Sequence, residues 1–298
     1  NPAAFVQALD KASKKGKPVV ILKVGKSAKA QAIAASHTGS MSGSDAVLSA
    51  VLKKYGAIRV DDLEELISTS QALSILPALP EGNGLTSISL SGGETAICAD
   101  LGEEYAMHFP ELQTETLQKL NELLPGYATP NNPLDITATL SYDTDKFAAA
   151  LEALMKDPNI HMVSVGYTLL QEIADNAIAY MYEAMHRVSR EAWCKPMVML
   201  PFVEMTRNEP YVQKLKECGV PVLPTSRYAF KIIRHIIQFA GYRREALALP
   251  QVAKTQTPDH KERIALSEAE SKRYLVQQGL KIDPFFVAAT ASEAAEQY

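Results

Sequence analysis

Cysteine is scarce in this chain: three in 298 residues, Cys98, Cys194 and Cys218, far apart and with no C-x-x-C pair. That excludes a disulfide framework and the common zinc spacings. It fits buried or incidental thiols in a reducing compartment such as the cytoplasm. Long apolar runs are missing too, and none approaches the roughly 20 residues of a membrane span. The N-terminus lacks the basic and apolar regions of a secretory signal. Charge of one sign is also lacking: 30 Lys and Arg stand against 34 Asp and Glu, a net of −4. That leaves no basic footprint for nucleic acid. No tandem repeat is visible. The first residue is Asn1, not methionine, which fits a piece of a longer polypeptide.

What remains is an ordinary globular composition, 47% hydrophobic and 21% charged, with a length that suggests two domains of roughly 150 residues each. Asn1-Pro2 reads as a helix cap and first helical position, and Phe5, Val6, Leu9 and Ala12 follow at helical spacing until Gly16. Val19 to Val24 reads as a strand whose apolar residues Val19 to Leu22 are of the kind buried on both faces of a parallel sheet. Helices are expected near 44–55 and 63–76, with a short strand at 57–60. The proline- and glycine-rich stretch from Pro77 to Gly84 marks a boundary.

A second α/β unit follows. Strands are expected at 85–90, 161–166, 197–200 and 220–223. Helices are expected near 92–105, 112–124, 147–155, 175–190, 211–217 and 226–240. This alternation implies a doubly wound parallel sheet, with sites at the carboxyl ends of its strands. A polar linker at 250–258 precedes a capping box, Ser267 with Glu270, and a helix that Gly279 stops. Expected domains are 1–78, 82–245 and 246–298.

Ser36-His37-Thr38-Gly39-Ser40 stands between the first strand and the helix near Ser44. Small residues let a phosphate approach the backbone, and a helix N-terminus stabilises its charge. Imidazole is nucleophilic at neutral pH, so a histidine presented this way suits a phosphoryl carrier. A cap or a surface histidine is the plain alternative. Ser91-Gly92-Gly93, between a strand and a helix, has the pattern of an anion-binding nest or of a simple tight turn. Glu94 reads as a solvated first-turn carboxylate and Asp135 as a loop-holding one. The other histidines have no ligand spacing. Arg187, Arg190, Arg243 and Arg244 read as solvated.

Several segments together resemble the nucleoside-diphosphate-forming acyl-CoA synthetases, the ADP-forming acetyl-CoA synthetase relatives of succinyl-CoA synthetase. They are Lys17 to Ser27, Ala34 to Ser40 with Gly43-Ser44-Asp45, and Leu90 to Glu94. Asn132-Pro133-Leu134-Asp135, Lys195 to Val198 with Cys218 to Val222, and Leu266 to Glu270 with Gly279-Leu280 complete them. They occur in order along nearly the whole chain.

The resemblance implies succinyl-CoA-synthetase-like, flavodoxin-like domains and a catalytic His37 that shuttles a phosphoryl group. Ser36, Thr38, Gly39, Ser40, Ser91, Gly92 and Gly93 would bind that phosphate. It further implies acyl-CoA, phosphate and ADP or ATP as substrates, and CoA as product or substrate. Magnesium would accompany the nucleotide in an ATP-grasp module of which only the first residues are present. The family's N-terminal CoA-binding domain and its histidine-orienting glutamate have no counterpart here, so the remaining domains of a parent chain are expected partners. Nucleic acid and membrane are not expected partners, and homo-oligomerisation stays open. The alternative is a catalytically inactive ligase-like regulatory region of a protein acetyltransferase that senses acyl-CoA. Retention of His37 argues against it.

Overall fold

The computed structural model describes residues 2–27, 29–30, 44–169, 176–203, 207–248, 267–282, 285 and 287–288. Asn1–Leu249 and Pro250–Tyr298 are two compact units.

The first unit begins with α1 (Pro2–Lys14), and Gly16 at φ +65° turns the chain toward the first strand. β1 (Val20–Leu22) pairs in parallel with β2 (Ile58–Val60), Val20 opposite Ile58 and Leu22 opposite Val60. Between them runs α2 (Asp45–Lys54), and α3 (Leu63–Ile75) follows β2. β1 is shorter than its apolar run, because Gly25 at φ +82° bends the chain away. Its residues are half-buried, not buried on both faces.

The main sheet contains β3 (Leu85–Ser89), β4 (Leu134–Asp135), β5 (Met162–Gly166) and β6 (Met197–Leu200). All pairs are parallel and the order is β4-β3-β5-β6. β3 therefore has successive strands on opposite sides, which is the topological switch point where doubly wound sheets place ligands. The expected strand at 220–223 is reduced to one parallel bridge, Met199 with Val222. Pro221 sits there at the sheet's edge, where its missing N–H is not required.

Alternate residues face opposite layers, as the period of a strand demands. Ile88, Val163, Val165, Met197 and Met199 face one core with α5 (Thr114–Leu123), α6 (Thr137–Leu140), α7 (Thr144–Lys156), α8 (Ala177–Val188) and α9 (Glu209–Glu217). Leu85, Met162, Val198 and Leu200 face the other with α4 (Gly92–Glu104) and α10 (Ser226–Ala248). Phe147, Leu151 and Leu154 on α7 are fully buried, each stabilising the fold by about 1.5–3 kcal/mol relative to exposure. Both faces covered is the condition that lets an all-parallel sheet persist. Gly166 ends β5 where a Cβ would lie 2.8 Å from the Phe202 ring and 3.1 Å from the Ile88 carbonyl. The chain needs glycine there to pass close to β3.

α10 runs past the expected end at 240, since Gly241 is carried inside the helix. It packs on both α3 and α4. Phe239 joins Ile58 and Val60 of the small sheet in a third apolar cluster.

In the second unit, α11 (Glu268–Gln277) carries the full reciprocal capping box between Ser267 and Glu270. Gly279 ends it at φ +81°. Among the described residues no helix is long and apolar enough to cross a membrane.

Candidate functional site

The described part of the site is built at the carboxyl end of β3. Ser91 leaves the strand with extended backbone (φ −149°), and its hydroxyl accepts from the Glu94 amide. That caps α4, which opens on Gly92 and Gly93. A side chain on Gly93 would meet nothing within 4 Å, and one on Gly92 would meet only Asp135 Oδ2 at 3.5 Å. The space beside the two glycines at the start of α4 is therefore open. Neither glycine has a positive φ, so backbone conformation is not what requires glycine at these two positions.

Two carboxylates flank this turn. Ser89 pairs in register with Asp135, which brings the end of β4 beside the helix start. Asp135 Oδ1 accepts from the Thr137 amide at 2.8 Å, which holds the loop as the sequence suggested, while Oδ2 lies over Gly92. Glu94 is not the solvated residue expected from the sequence. It is half-buried and folds back, its Oε2 accepting from the Leu90 amide at 3.2 Å. Burial raises its pKa above the ordinary carboxylate range and the Asp135 charge adds to that, against the opposing Leu90 and Ser91 hydrogen bonds. Beneath the turn, the buried Cys98 thiol accepts from Ser87 Oγ at 3.2 Å. Its pKa is raised by burial, which makes it a packed thiol and not a nucleophile.

Asn132 is a clip: its amide donates to the Leu85 carbonyl at 2.9 Å and the Pro110 carbonyl at 3.0 Å. His161 accepts from the Gly84 amide. Arg187 pairs with Asp145 at an exposed position, as a solvated residue would. Arg243 is not simply solvated, since it donates to the Ser13 carbonyl and lies against Gly16.

His37, with Ser36, Thr38, Gly39 and Ser40, lies outside the described residues, so the structure brings together only Ser91, Gly92 and Gly93 of the expected phosphate ligands. The flanks of the His37 segment are described. Lys26 pairs with Asp61, and Arg59 of β2 pairs with Asp45 at the start of α2. Arg59 carries little signal in the sequence. Its only local signal was a cation alternating with buried Ile58 and Val60, and the pairing partner is 14 residues away. A second unanticipated cluster joins α3 to α10. Buried Glu65 accepts from the Asp61 amide at 2.8 Å, meets His235 Nε2 at 2.6 Å and stands 3.9 Å from Lys231 Nζ. Tyr228 donates to Asp62 beside it. Among the described residues no three His, Cys, Asp or Glu side chains stand together as a metal site.

Residues 1–73 match a family model described as the succinyl-CoA ligase like flavodoxin domain. The chain is 30% identical over 236 residues to a trans-feruloyl-CoA synthase from an unidentified prokaryote, covering 79% of this chain and 33% of that protein. It is 28% identical over 239 residues to the alpha subunit of an ADP-forming acetate–CoA ligase I of Pyrococcus furiosus, covering 80% and 50%. A solved structure described as dinucleotide forming acetyl-coenzyme A synthetase 1 of Ca. Korarchaeum cryptofilum, in complex with phosphate and ADP, superposes with a TM-score of 0.68. The identity there is 22%, with 83% of this chain and 52% of that chain covered, and the likeness shows a shared fold. The chain spans between a third and a half of the length of these two curated relatives.

Proposed function

We propose, from the chain's partial-length membership in the family of ADP-forming acyl-CoA ligases related to succinyl-CoA ligase, that it carries the phosphoryl-transfer centre of such an enzyme. The reaction interconverts acyl-CoA, ADP and phosphate with a carboxylic acid, CoA and ATP. The observation that carries this reading is the open first turn of α4 at the switch point of the main sheet, with no side chain over Gly93.

In the first step phosphate oxygen attacks the thioester, the C–S bond breaks, and an acyl phosphate and CoA result. The imidazole of His37 then attacks phosphorus. The bond from phosphorus to the acyl oxygen breaks, and the carboxylate leaves. ADP finally takes the phosphoryl group from His37 as the P–N bond breaks. The amides of Gly92 and Gly93 would hold the phosphate oxygens, helped by the positive end of α4, a contribution of about 0.3–1 kcal/mol at an exposed site. Donors from Ser36, Thr38, Gly39 and Ser40 would face the same phosphate. Most of the rate would come from positioning and charge stabilisation. Magnesium would enter with the nucleotide. Among the described residues no cluster of His, Cys, Asp or Glu offers it ligands.

The test is turnover by the full-length protein. Beyond the single equivalent of ADP released when ATP loads His37, turnover of ATP to ADP should require both CoA and a carboxylic acid, and His37→Asn should abolish both. Continued turnover that ignores CoA, or ADP formation that survives His37→Asn, would refute the proposal. No turnover from a folded protein that still binds acyl-CoA would leave the regulatory, acyl-CoA-sensing region of an acetyltransferase as the better reading.

A further inference from the structure

We infer that Tyr142 and Tyr180 receive the acyl end of the substrate and select aromatic monocarboxylic acids. The inference rests on the acyl-CoA ligase reading above and names the substrate class for that same site. Both residues belong to connections that leave the carboxyl edge of the main sheet. Tyr142 lies between α6 and α7, on the way out of β4, and Tyr180 lies in the first turn of α8, which follows β5. β4 and β5 flank β3, so these two connections flank the strand that leads into α4. Ligands of doubly wound sheets gather at this edge.

The two rings meet edge to face, centroids 6.2 Å apart and planes at 61°, an arrangement that aromatic rings favour. Thr144 Oγ1 donates to the Tyr180 carbonyl at 3.3 Å, which ties the start of α7 to α8 beneath them. Yet Tyr142 and Tyr180 are 52% and 43% exposed, whereas Phe147, on α7, is fully buried. An aromatic pair that served only packing would be covered as Phe147 is. A held and uncovered aromatic face offers contact to a flat apolar group at little ordering cost.

A short anchored segment joins this pair to the glycine turn. Asp135 Oδ2 lies 3.5 Å from where a Gly92 side chain would begin, and Asp135 Oδ1 holds the Thr137 amide. α6 then rises only about 6 Å before the chain reaches Tyr142. Buried Ile136 and Leu140 fix the segment in the core. Thr137 pays for its shape. It is β-branched and stands at φ +60°, and its hydroxyl is buried without a hydrogen-bond partner. Such departures persist where a segment is held for a ligand. With the carboxyl group at the turn, a ring carried on a short side chain reaches the tyrosines.

Charge narrows the class further. Every Lys and Arg on α7 and α8 is paired: Lys146 with Asp143, Lys156 with Glu152 and Arg187 with Asp145. Those helices therefore leave no cation to hold a second carboxylate, and the acyl group they suit is uncharged.

The test is the acid preference of the full-length protein with ATP, Mg2+ and CoA, using cinnamate, acetate and succinate. The wild type should show a kcat/KM for cinnamate roughly 10-fold or more above that for acetate, with succinate lowest. Tyr142→Ala and Tyr180→Ala should each lower the ratio of cinnamate to acetate kcat/KM by roughly 5- to 10-fold, mainly through the cinnamate KM. Tyr142→Phe and Tyr180→Phe should keep the ratio, because the ring and not the hydroxyl is used. An unchanged ratio in the alanine variants, with both acids losing equally, would overturn the inference, since destabilisation alone does that. So would a wild type that prefers acetate or succinate, a result that needs no variant to fold and leaves the ligase reading standing. No turnover with any of the three acids would bring down the ligase reading itself, and this inference with it.

Discussion

Gly93→Ala separates function from fold at the turn that opens α4. The two explanations for glycine there predict opposite changes in stability. If glycine serves the backbone, alanine should destabilise. Yet Gly93 has helical geometry without a positive φ, and a Cβ there would meet nothing within 4 Å. Alanine should then stabilise by restricting the unfolded chain and favouring helix, up to about 1 kcal/mol in a helix interior and about 0.5 kcal/mol in this first turn. For a unit of this size, that corresponds to a rise in Tm of roughly 1–2 °C. The added methyl group would at the same time occupy the space before the first-turn amides. Loss of one charge-assisted contact costs about 1.5–3 kcal/mol, which weakens phosphate binding roughly 10-fold or more. Thermal unfolding and a phosphate titration followed by 31P NMR read the two effects separately. A destabilised variant would show that the glycine serves the fold. A stabilised variant with wild-type phosphate affinity would show that phosphate does not sit on this turn.

Phe147→Ala should lower the stability of the first unit by about 3–5 kcal/mol, since the ring is fully buried between α7 and the main sheet. Its urea midpoint checks this, and a change under 1 kcal/mol would contradict the described core. Glu65→Ala should cost about 3 kcal/mol in the same assay, because it leaves His235 and the Asp61 amide without their acceptor. A neutral result would mean the cluster adds nothing to the docking of α10 on α3. Glu94 gives a pH signature. Its pKa is raised in the folded state, so its contribution to stability is full below the ordinary carboxylate value of about 4.5 and is lost as pH rises through the higher folded value. Relative to wild type, the Tm of Glu94→Gln should therefore climb as pH rises from about 4.5 and level off once Glu94 is ionised. A difference that does not vary with pH would show that burial does not act on this carboxyl group.

The parallel α/β architecture was legible because strand-like segments alternate with helical patterns, and both faces of Met162–Gly166 and Met197–Leu200 are covered. β4 was not legible. It is two residues long and sits in Asn-Pro-Leu-Asp, a string with the composition of a loop. The Ser91 turn and the capping box at Ser267 are local patterns and could be found at sight. Glu94 was misplaced on the surface. Ser91-Gly92-Gly93-Glu94 has capping-box spacing, but the carboxylate returns to Leu90, one residue before the cap. Arg59 with Asp45 and Glu65 with His235 are set by how distant segments pack. The second pair is 170 residues apart, so no local window contains it. His37 stands out in the sequence as a motif because its neighbours are small, and it lies outside the described residues.

The central claim is that His37 carries phosphate. Full-length protein incubated with labelled ATP and Mg2+ should acquire phosphate that is labile to acid and stable to base. Peptide mapping should place it on His37, and CoA with a carboxylic acid should discharge it. His37→Asn should take up none. Label that persists in His37→Asn, or its absence from a folded wild-type protein, would contradict the account.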